Sequence, residues 1–211
     1  TEIMKNLETL LQRYPALEPI KDDIQKAYET LAATYENGGK VMVCGNGGSA
    51  SDAEHIVGEL MKEFRRKRPV PVAFAKRLRE LEEDPSDLIN GLQGALPAIS
   101  LNSQTALMTA FGNDADPSLM VAQQVLGYGR EGDTLIALST SGNSANVQKA
   151  ARAARGLGVK VVLISGAGGG KIAPIADVAI CLPETETYKI QELTLPVYHT
   201  LCLMLEDHFF G

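Results

Sequence analysis

The chain has 211 residues, of which 45% are apolar and 22% charged, a composition typical of one globular domain with a full core. Its formal charge of −6 at pH 7 argues against a nucleic-acid binder, because phosphate contacts usually need a basic face. The dense basic run KEFRRKR, residues 62–68, is interpreted as a solvated helix end rather than a docking patch.

Helices and strands alternate along most of the chain. Apolar residues at helical spacing predict two helices in the first forty residues, broken near Pro15. Short apolar runs predict strands at 40–44, 96–101, 134–139, 159–165 and 176–182. Helical patterns cover about 49–64, 103–127, 143–157 and 188–209, the last with a bend expected at 192–196 because of Pro196. This alternation predicts an α/β fold, a three-layer αβα sandwich around a parallel sheet.

The cysteines and the apolar runs indicate where the protein resides. Cys44, Cys181 and Cys202 are odd in number and lack metal-type spacing, which favours reduced, buried thiols over a disulfide framework. No secretory segment opens the sequence, and no apolar run approaches the length of a membrane span. We therefore expect a cytoplasmic protein without a membrane partner.

Two polar turns follow predicted strands and open helices. The first runs from Gly45 to Ser49 and the second from Ser139 to Ser144. In a parallel sheet both lie at the carboxyl ends of strands, where open α/β folds bind ligands, so they can face one pocket. The second turn is rich in hydroxyl groups and has no Lys or Arg, which favours a phosphate ester held at a helix N-terminus. The alternative is a serine-rich helix cap.

The first turn also matches a dinucleotide-binding pattern. Residues 45–50, GNGGSA, spell G-x-G-x-x-A, whose glycines would serve a pyrophosphate. That pattern needs a second strand that ends in an acidic residue about twenty positions on. Here residues 63–71 read EFRRKRPVP and the next strand begins near 96. A nucleotide-dependent oxidoreductase is therefore a distant alternative, tested by NAD binding.

Two pairs of polar residues can carry chemistry. His55 and Glu59 are four apart and share a helical face, so they are candidates for proton transfer or metal binding. Taken alone, each is more simply read as a packed histidine or a solvated carboxylate. The predicted last helix adds Gln191 and His199, with His199 inside an apolar stripe. A histidine in such a stripe usually has a partner or a purpose.

Four motifs in order resemble the sugar isomerase domain family. They are CGNGGSASDAEH (44–55), LSTSGNS (138–144), ADVAICLP (176–183), and IQE (190–192) with His199 eight residues after its glutamine. The similarity covers nearly the whole chain. It implies one domain over 1–211, in which helices 1–38 pack an oligomer, and a homotetramer with active sites between subunits. It also implies isomerisation of sedoheptulose 7-phosphate to D-glycero-D-manno-heptose 7-phosphate for bacterial surface glycans.

The resemblance also implies roles for individual residues. Glu59 matches the catalytic base and His199 the catalytic acid. The expected ligands of a divalent metal, usually zinc, are His55, Glu59, Gln191 and His199. The expected substrate contacts are Asn46, Gly47, Gly48, Ser49, Gln104, Ser139, Thr140, Ser141, Ser144 and Gln191. The chemistry is consistent, because moving a carbonyl from C2 to C1 through an enediol needs a base and an acid, and a metal can polarise the carbonyl.

The sequence departs from the family at three places. Residues 65–95 form a longer connection than usual, with a short helix predicted near 75–83. Gln104 and Tyr188 stand where aspartates are common, which affects the choice of sugar. The family also contains non-catalytic phosphosugar-binding and replication-initiator-binding proteins. The initiator-binding branch typically lacks histidine at the position of His199, so the presence of both Glu59 and His199 favours an enzyme.

Overall fold

The computed structural model describes residues 1–211 and begins with a helical pair. Helix α1 (Glu2–Arg13) is capped by the Thr1 hydroxyl, which accepts from the Met4 N–H. A 3-10 segment (Pro15–Ile20) follows, and α2 (Lys21–Glu36) runs to the first strand. The predicted break near Pro15 is therefore confirmed. Strand β1 (Val41–Cys44) then leads through the glycine turn, residues 45–49, into α3 (Gly48–Met61).

The connection to the second strand is helical. It contains α4 (Val72–Leu81) and α5 (Ser86–Gly91), and it ends at β2 (Ala98–Ser100). The helix predicted at 75–83 thus begins and ends earlier than expected, and α5 was not predicted. Few neighbours cover α4, where Ala75 alone is buried.

The single helix predicted at 103–127 is wrong. The structure has α6 (Thr105–Asp114), a 3-10 turn (Pro117–Leu119) and α7 (Met120–Tyr128). Pro117 has no N–H and disfavours a helical residue before it. The Asp116 carboxylate accepts from the Ser118 N–H at 2.9 Å, as the N-cap of a helical segment does. The helix therefore ends before Pro117, and a separate helical segment begins there.

The second half has the predicted order of elements. It comprises β3 (Thr134–Leu138), α8 (Ala145–Gly156), β4 (Lys160–Ser165), a 3-10 turn (Ala173–Ile175), β5 (Val178–Cys181) and α9 (Thr187–Phe210). Pro196 lies inside α9, and the helix continues on both sides of it. The missing N–H of Pro196 removes one hydrogen bond without ending the helix.

The five strands form one parallel sheet in the order β2-β1-β3-β4-β5. Alternate strand residues point to opposite faces. Val41, Val43 and Ile136 face a core that includes α1, α2, α3 and α9. Met42 and Leu135 face a smaller core with α7 and α8. The three-layer αβα prediction is confirmed, and no helix is both long enough and apolar enough to cross a membrane.

A buried ion pair anchors the connection after α3. Arg68 is 1% exposed, and its Nε donates to Glu206 on α9 at 2.8 Å. The Glu206 carboxylate also accepts from the backbone N–H groups of Phe64, Arg65 and Arg66, at 2.8, 2.8 and 2.7 Å. Reading residues 62–68 as a solvated helix end is therefore wrong for Arg68, because its charge is neutralised by a carboxylate far along the chain.

The cysteines largely follow the prediction. Cys44 and Cys202 are buried free thiols, and Cys181 is partly exposed. Burial raises the pKa of Cys44 to about 12. A thiol with such a pKa is protonated and a poor nucleophile at neutral pH, so Cys44 has a packing role although it adjoins the glycine turn.

Candidate active site

The glycine turn brings β1 close to α9. Gly47 has φ +57, a left-handed conformation that favours glycine. A Cβ atom on Gly48 would lie 2.9 Å from Nε2 of Gln191, so the Gln191 side chain rests directly on the start of α3. Ser49 is buried and Asn46 is exposed. The first turn therefore presents Asn46 outward and holds Gln191 against its backbone.

Helices α3 and α9 run side by side in the same direction. Gln191 lies beside Gly48, and seven residues on, Tyr198 lies beside Asp52 and His55. The Tyr198 hydroxyl is 2.8 Å from Nδ1 of His55 and donates to Asp52 Oδ1 at 3.0 Å. Polar side chains of the two helices therefore meet along the side on which α3 and α9 pack.

His55, Glu59 and His199 form one group. Their donor atoms all lie within 4.8 Å of one another, and the two Nε2 atoms are 3.5 Å apart. The Glu59 side chain is 13% exposed, with Lys62 Nζ at 3.5 Å. Burial, followed by the nearby His55, lowers the pKa of His199, and Glu59 opposes that shift. The group therefore combines a sheltered carboxylate with an imidazole that is neutral at pH 7.

The donor set suits a divalent ion. Zinc in proteins is tetrahedral with bonds to imidazole nitrogen of about 2.0–2.1 Å, which places two such nitrogens about 3.3 Å apart. The observed 3.5 Å between the Nε2 atoms fits this geometry. Two imidazoles and a carboxylate without thiolate also match the preference of a borderline ion. Gln191 lies elsewhere, since Gly48 and His55 are separated by about 10 Å of helix rise.

The serine turn, residues 139–144, is arranged for a ligand more than for capping. Ser144 is the N-cap residue of α8, yet its hydroxyl makes no capping hydrogen bond. It lies 3.0 Å from the Ser139 hydroxyl, which accepts from the Gly142 N–H at 3.1 Å. The first N–H groups of a helix have no partner within it. Hydroxyls and free N–H groups thus converge at the start of α8, as phosphate binding requires.

A second glycine segment braces the serine turn, and sequence reasoning missed it. The Gly166 N–H donates to the Thr140 carbonyl at 3.0 Å, and the Ile172 N–H donates to the Gly142 carbonyl at 3.0 Å. A Cβ atom on Gly142 would overlap the Gly169 carbonyl. The three consecutive glycines at 168–170 were the feature of the sequence that could have indicated this close packing.

Asn146 is a further residue that sequence reasoning missed. Its amide pairs reciprocally with that of Asn46, at 2.9 and 2.8 Å. This pair joins the glycine turn to the first turn of α8. The two turns are therefore neighbours, as predicted. The signal was an asparagine two residues after the serine turn, at a position where its side chain can reach the neighbouring strand end.

The remaining predicted residues lie near the same sheet edge or on the surface. Gln104 follows β2, where its Nε2 donates to the Ser100 carbonyl at 3.4 Å. The neighbouring Asn102 carboxamide bonds both backbone groups of Gly45, at 3.0 and 2.8 Å. Ser141 is exposed, and its hydroxyl accepts from the Asn143 N–H at 3.1 Å. Tyr188 is 55% exposed.

Within one chain, the serine turn lies at the carboxyl ends of the strands, whereas Glu59 lies toward their amino ends. The serine turn follows the last residue of β3. The Leu96 N–H, which precedes β2, donates to the Leu60 carbonyl at 2.9 Å, so Glu59 lies level with the strand starts. Gly48 and Glu59 are separated by about 16 Å of helix rise. That length exceeds an extended seven-carbon chain.

A parallel αβα sandwich with polar turns at its carboxyl edge is typical of proteins that bind anionic small molecules there. Sequence profiles described as SIS domain match residues 5–83 and 94–204. The chain belongs to the SIS domain family.

Several of its relatives carry the same name. A phosphoheptose isomerase of Rhodospirillum rubrum is 41% identical over 184 residues, 87% of this chain and 85% of that protein. One from Helicobacter pylori is 37% identical over 92% of this chain and 88% of its own length. The solved phosphoheptose isomerase of Neisseria gonorrhoeae is 30% identical with a TM-score of 0.75, covering 95% of this chain and 94% of that one.

Proposed function

We propose that this chain is a phosphoheptose isomerase, an aldose-ketose isomerase that interconverts sedoheptulose 7-phosphate and D-glycero-D-manno-heptose 7-phosphate. Its product would supply heptose for bacterial surface glycans. The observation that carries the proposal is the group of His55, Glu59 and His199 in a chain whose relatives are named for this reaction. A non-catalytic phosphosugar-binding or initiator-binding protein would not need this group.

Glu59 and His199 can supply the proton transfers that the reaction needs at its carbon and oxygen atoms. Glu59, sheltered but reachable, would take the proton from C1 of the ketose and return a proton at C2 as the enediol collapses. His199, whose pKa is lowered mainly by burial, is neutral at pH 7; it would give its proton to O2 as the enediol forms and take one back from O1 as the enediol collapses to the aldose.

A divalent ion, most simply zinc, would be held by His55, Glu59 and His199. When bound, such an ion polarises a carbonyl and stabilises the charge of an enediolate. In one chain Gln191 rests on Gly48, so its ligation stays a prediction that requires either movement or another subunit. The test is metal analysis after mild purification, followed by activity after chelation and zinc addition. Full activity without metal, together with an active His55→Ala variant, would reject the metal and leave the acid–base pair.

The substrate would be held by its phosphate and hydroxyl groups. Ser139, Thr140, Ser141 and Ser144 would bind the phosphate, since the serine turn offers hydroxyls and unpaired helix N–H groups. The sugar would be contacted by residues of the neighbouring strand ends and by one residue of α9. They are Asn46, Gly47, Gly48, Ser49 and Gln104, together with Gln191 of α9.

The active enzyme would be an oligomer, a homotetramer with helices 1–38 in its interfaces. The separation of Glu59 from the serine turn within a chain supports this assembly, because one sugar phosphate cannot reach both. Combining the serine turn of one subunit with Glu59 and His199 of another would complete the site. The connection over residues 65–95, anchored through Arg68, would be an insertion within the single domain. The cytoplasmic location stays a prediction.

The decisive experiment is a panel of ketose phosphates with five to seven carbons, incubated with the purified protein while aldose formation is followed. We expect turnover with the seven-carbon substrate and little with the shorter ones. Binding of the phosphosugars without any turnover would instead identify a non-catalytic member of the family. Turnover of a shorter sugar alone would keep the isomerase and reject the heptose.

A further inference from the structure

A buried tyrosine links the polar group of α3 to a second carboxylate. The Tyr198 hydroxyl lies 2.8 Å from His55 Nδ1 and 3.0 Å from Asp52 Oδ1, and Tyr198 is 2% exposed. Asp52 is one turn before His55 on α3, and Tyr198 immediately precedes His199 on α9. The two helices that carry the His55–Glu59–His199 group therefore also carry this Asp52–Tyr198 pair.

The Tyr198 hydroxyl has a single proton, and the direction of that proton determines which nitrogen of His55 is unprotonated. A phenol has one proton, and an ionised carboxylate only accepts, so the Tyr198 proton is directed to Asp52. The phenol oxygen can then only accept from His55, which requires the proton on Nδ1. In a neutral imidazole the other nitrogen, Nε2, is then without a proton. That nitrogen is the one 3.5 Å from His199 Nε2.

We propose that Asp52 and Tyr198 are positioning residues, which hold His55 in the Nδ1–H tautomer so that its Nε2 lone pair faces His199 and Glu59. The inference rests on the proposed function only in that this lone pair would serve a metal ion. Metal-bound histidines commonly donate their second N–H to an oxygen that fixes the ring orientation. The edge-on packing of the Tyr198 and His55 rings, with centroids 5.4 Å apart, holds the imidazole in that orientation.

A purely structural role does not explain the arrangement. One partner satisfies a buried phenol, yet Tyr198 has two, and the second is a partly buried carboxylate. Removing a carboxylate from water is unfavourable, and burial raises the pKa of Asp52, which the hydrogen bond from Tyr198 partly reverses. Asp52 contributes what a simple packing contact would not, namely a fixed direction for the phenol proton.

The first measurement uses metal-free protein. The chain has three histidines, so long-range proton–nitrogen NMR of histidine-labelled protein resolves each ring, with His55→Gln assigning its signal. We expect wild-type His55 to be the Nδ1–H tautomer. Tyr198→Phe should shift it toward the mixture of a free imidazole. Asp52→Asn should shift it as well, because an amide can donate to the phenol oxygen and release the phenol proton toward Nδ1.

The second measurement is zinc affinity by competition with a chromophoric chelator. Tyr198→Phe and Asp52→Asn should each weaken zinc binding by about 10- to 100-fold. Tyr28→Phe is the matched control, because the Tyr28 hydroxyl also contacts a histidine Nδ1, that of His208, away from the site. It should change neither zinc affinity nor the His55 tautomer.

The two measurements separate the possible failures. Wild-type His55 with its proton on Nε2, or a tautomer unchanged in both variants, would overturn the positioning role. A wild-type protein that binds no zinc, but whose Nδ1–H tautomer is lost in Tyr198→Phe, would reject the metal and leave the positioning role intact. Should Tyr198→Phe fail to fold, Asp52→Asn gives both readouts alone.

Discussion

At the scale of the residue, Glu59 differs from the other acids of its helix by its surroundings. Its side chain is largely sheltered, and its carboxylate belongs to the group with His55 and His199. Glu54 lies five residues earlier on α3 and is exposed, and it accepts a hydrogen bond from the Ser103 hydroxyl at 2.8 Å. The two residues share chemistry and helix, so they form a matched pair for mutation.

Glu59→Gln should lower kcat by about 10²- to 10⁴-fold, because the amide keeps the shape of the side chain and loses its basicity. Substrate binding should persist, as measured by calorimetry with the ketose phosphate. Glu54→Gln should leave kcat near the wild-type value. Retention of more than about a tenth of the wild-type kcat in Glu59→Gln is incompatible with a general base there.

At the scale of the element, the serine turn should determine affinity for the phosphate. Replacing both Ser141 and Ser144 by alanine should raise KM for the phosphorylated sugar strongly and leave the circular dichroism spectrum unchanged. The reason is that two hydroxyls are lost while Ser139 keeps its hydrogen bond from the Gly142 N–H. Ser86→Ala, in α5, is the control. Unchanged affinity for the sugar phosphate, or equal affinity for the unphosphorylated sugar, would contradict a phosphate site here.

The strands could be predicted because buried parallel strands consist of continuous apolar residues, as in TLIAL (Thr134–Leu138). The polar turns could be predicted because the strand ends meet at one edge. The break at Pro117 was missed because helical spacing of apolar residues continues on both sides of it. The partners of Arg68 and Asn46 were missed because they lie 138 and 100 residues away, and no local pattern records such contacts.

The segment after α3 should depend on the charge of Glu206. Burial would raise the pKa of Glu206, but hydrogen bonds from three backbone N–H groups and from Arg68 outweigh burial and lower it below its ordinary value of 4.5. The ionised group therefore stabilises the fold above that pH, and the contribution is lost as pH falls through the lower, folded-state pKa.

Glu206→Gln should lower the free energy of unfolding at pH 7 by about 3 to 5 kcal/mol, because it leaves Arg68 buried without its counter-charge. The difference from wild type should shrink as the pH falls below 4.5. Glu80→Gln removes an exposed ion pair with Arg77 and should change stability by about 0 to 1 kcal/mol. Urea titrations at several pH values measure both. A constant difference at every pH would show that the charge of Glu206 is not responsible.

At the scale of the whole molecule, the separation of the serine turn from Glu59 predicts complementation between inactive subunits. Glu59→Gln keeps an intact serine turn, and the Ser141→Ala/Ser144→Ala chain keeps an intact Glu59. Co-expressed in equal amounts, they should form mixed oligomers in which about a quarter of the shared sites combine two intact halves. Activity should rise toward that fraction of wild type.

The control pairs Glu59→Gln with His199→Ala. Both changes affect the same group within a chain, so every mixed oligomer carries a defect at each site and no activity should return. Sedimentation of each mixture establishes that oligomers have formed. A fully active monomer, or no recovery in the first mixture despite mixed assembly, would contradict a site shared between subunits.

The Arg68–Glu206 pair also sets a time order for biosynthesis. At about 5 to 20 residues per second, Glu206 is made about 7 to 28 s after Arg68. During that interval the backbone N–H groups of Phe64, Arg65 and Arg66 have no carboxylate to bind. A nascent chain that ends before α9 therefore holds an untethered segment after the C-terminal end of α3, open to proteases and chaperones. Helix α9 must therefore be made before the segment after α3 can be fixed in place.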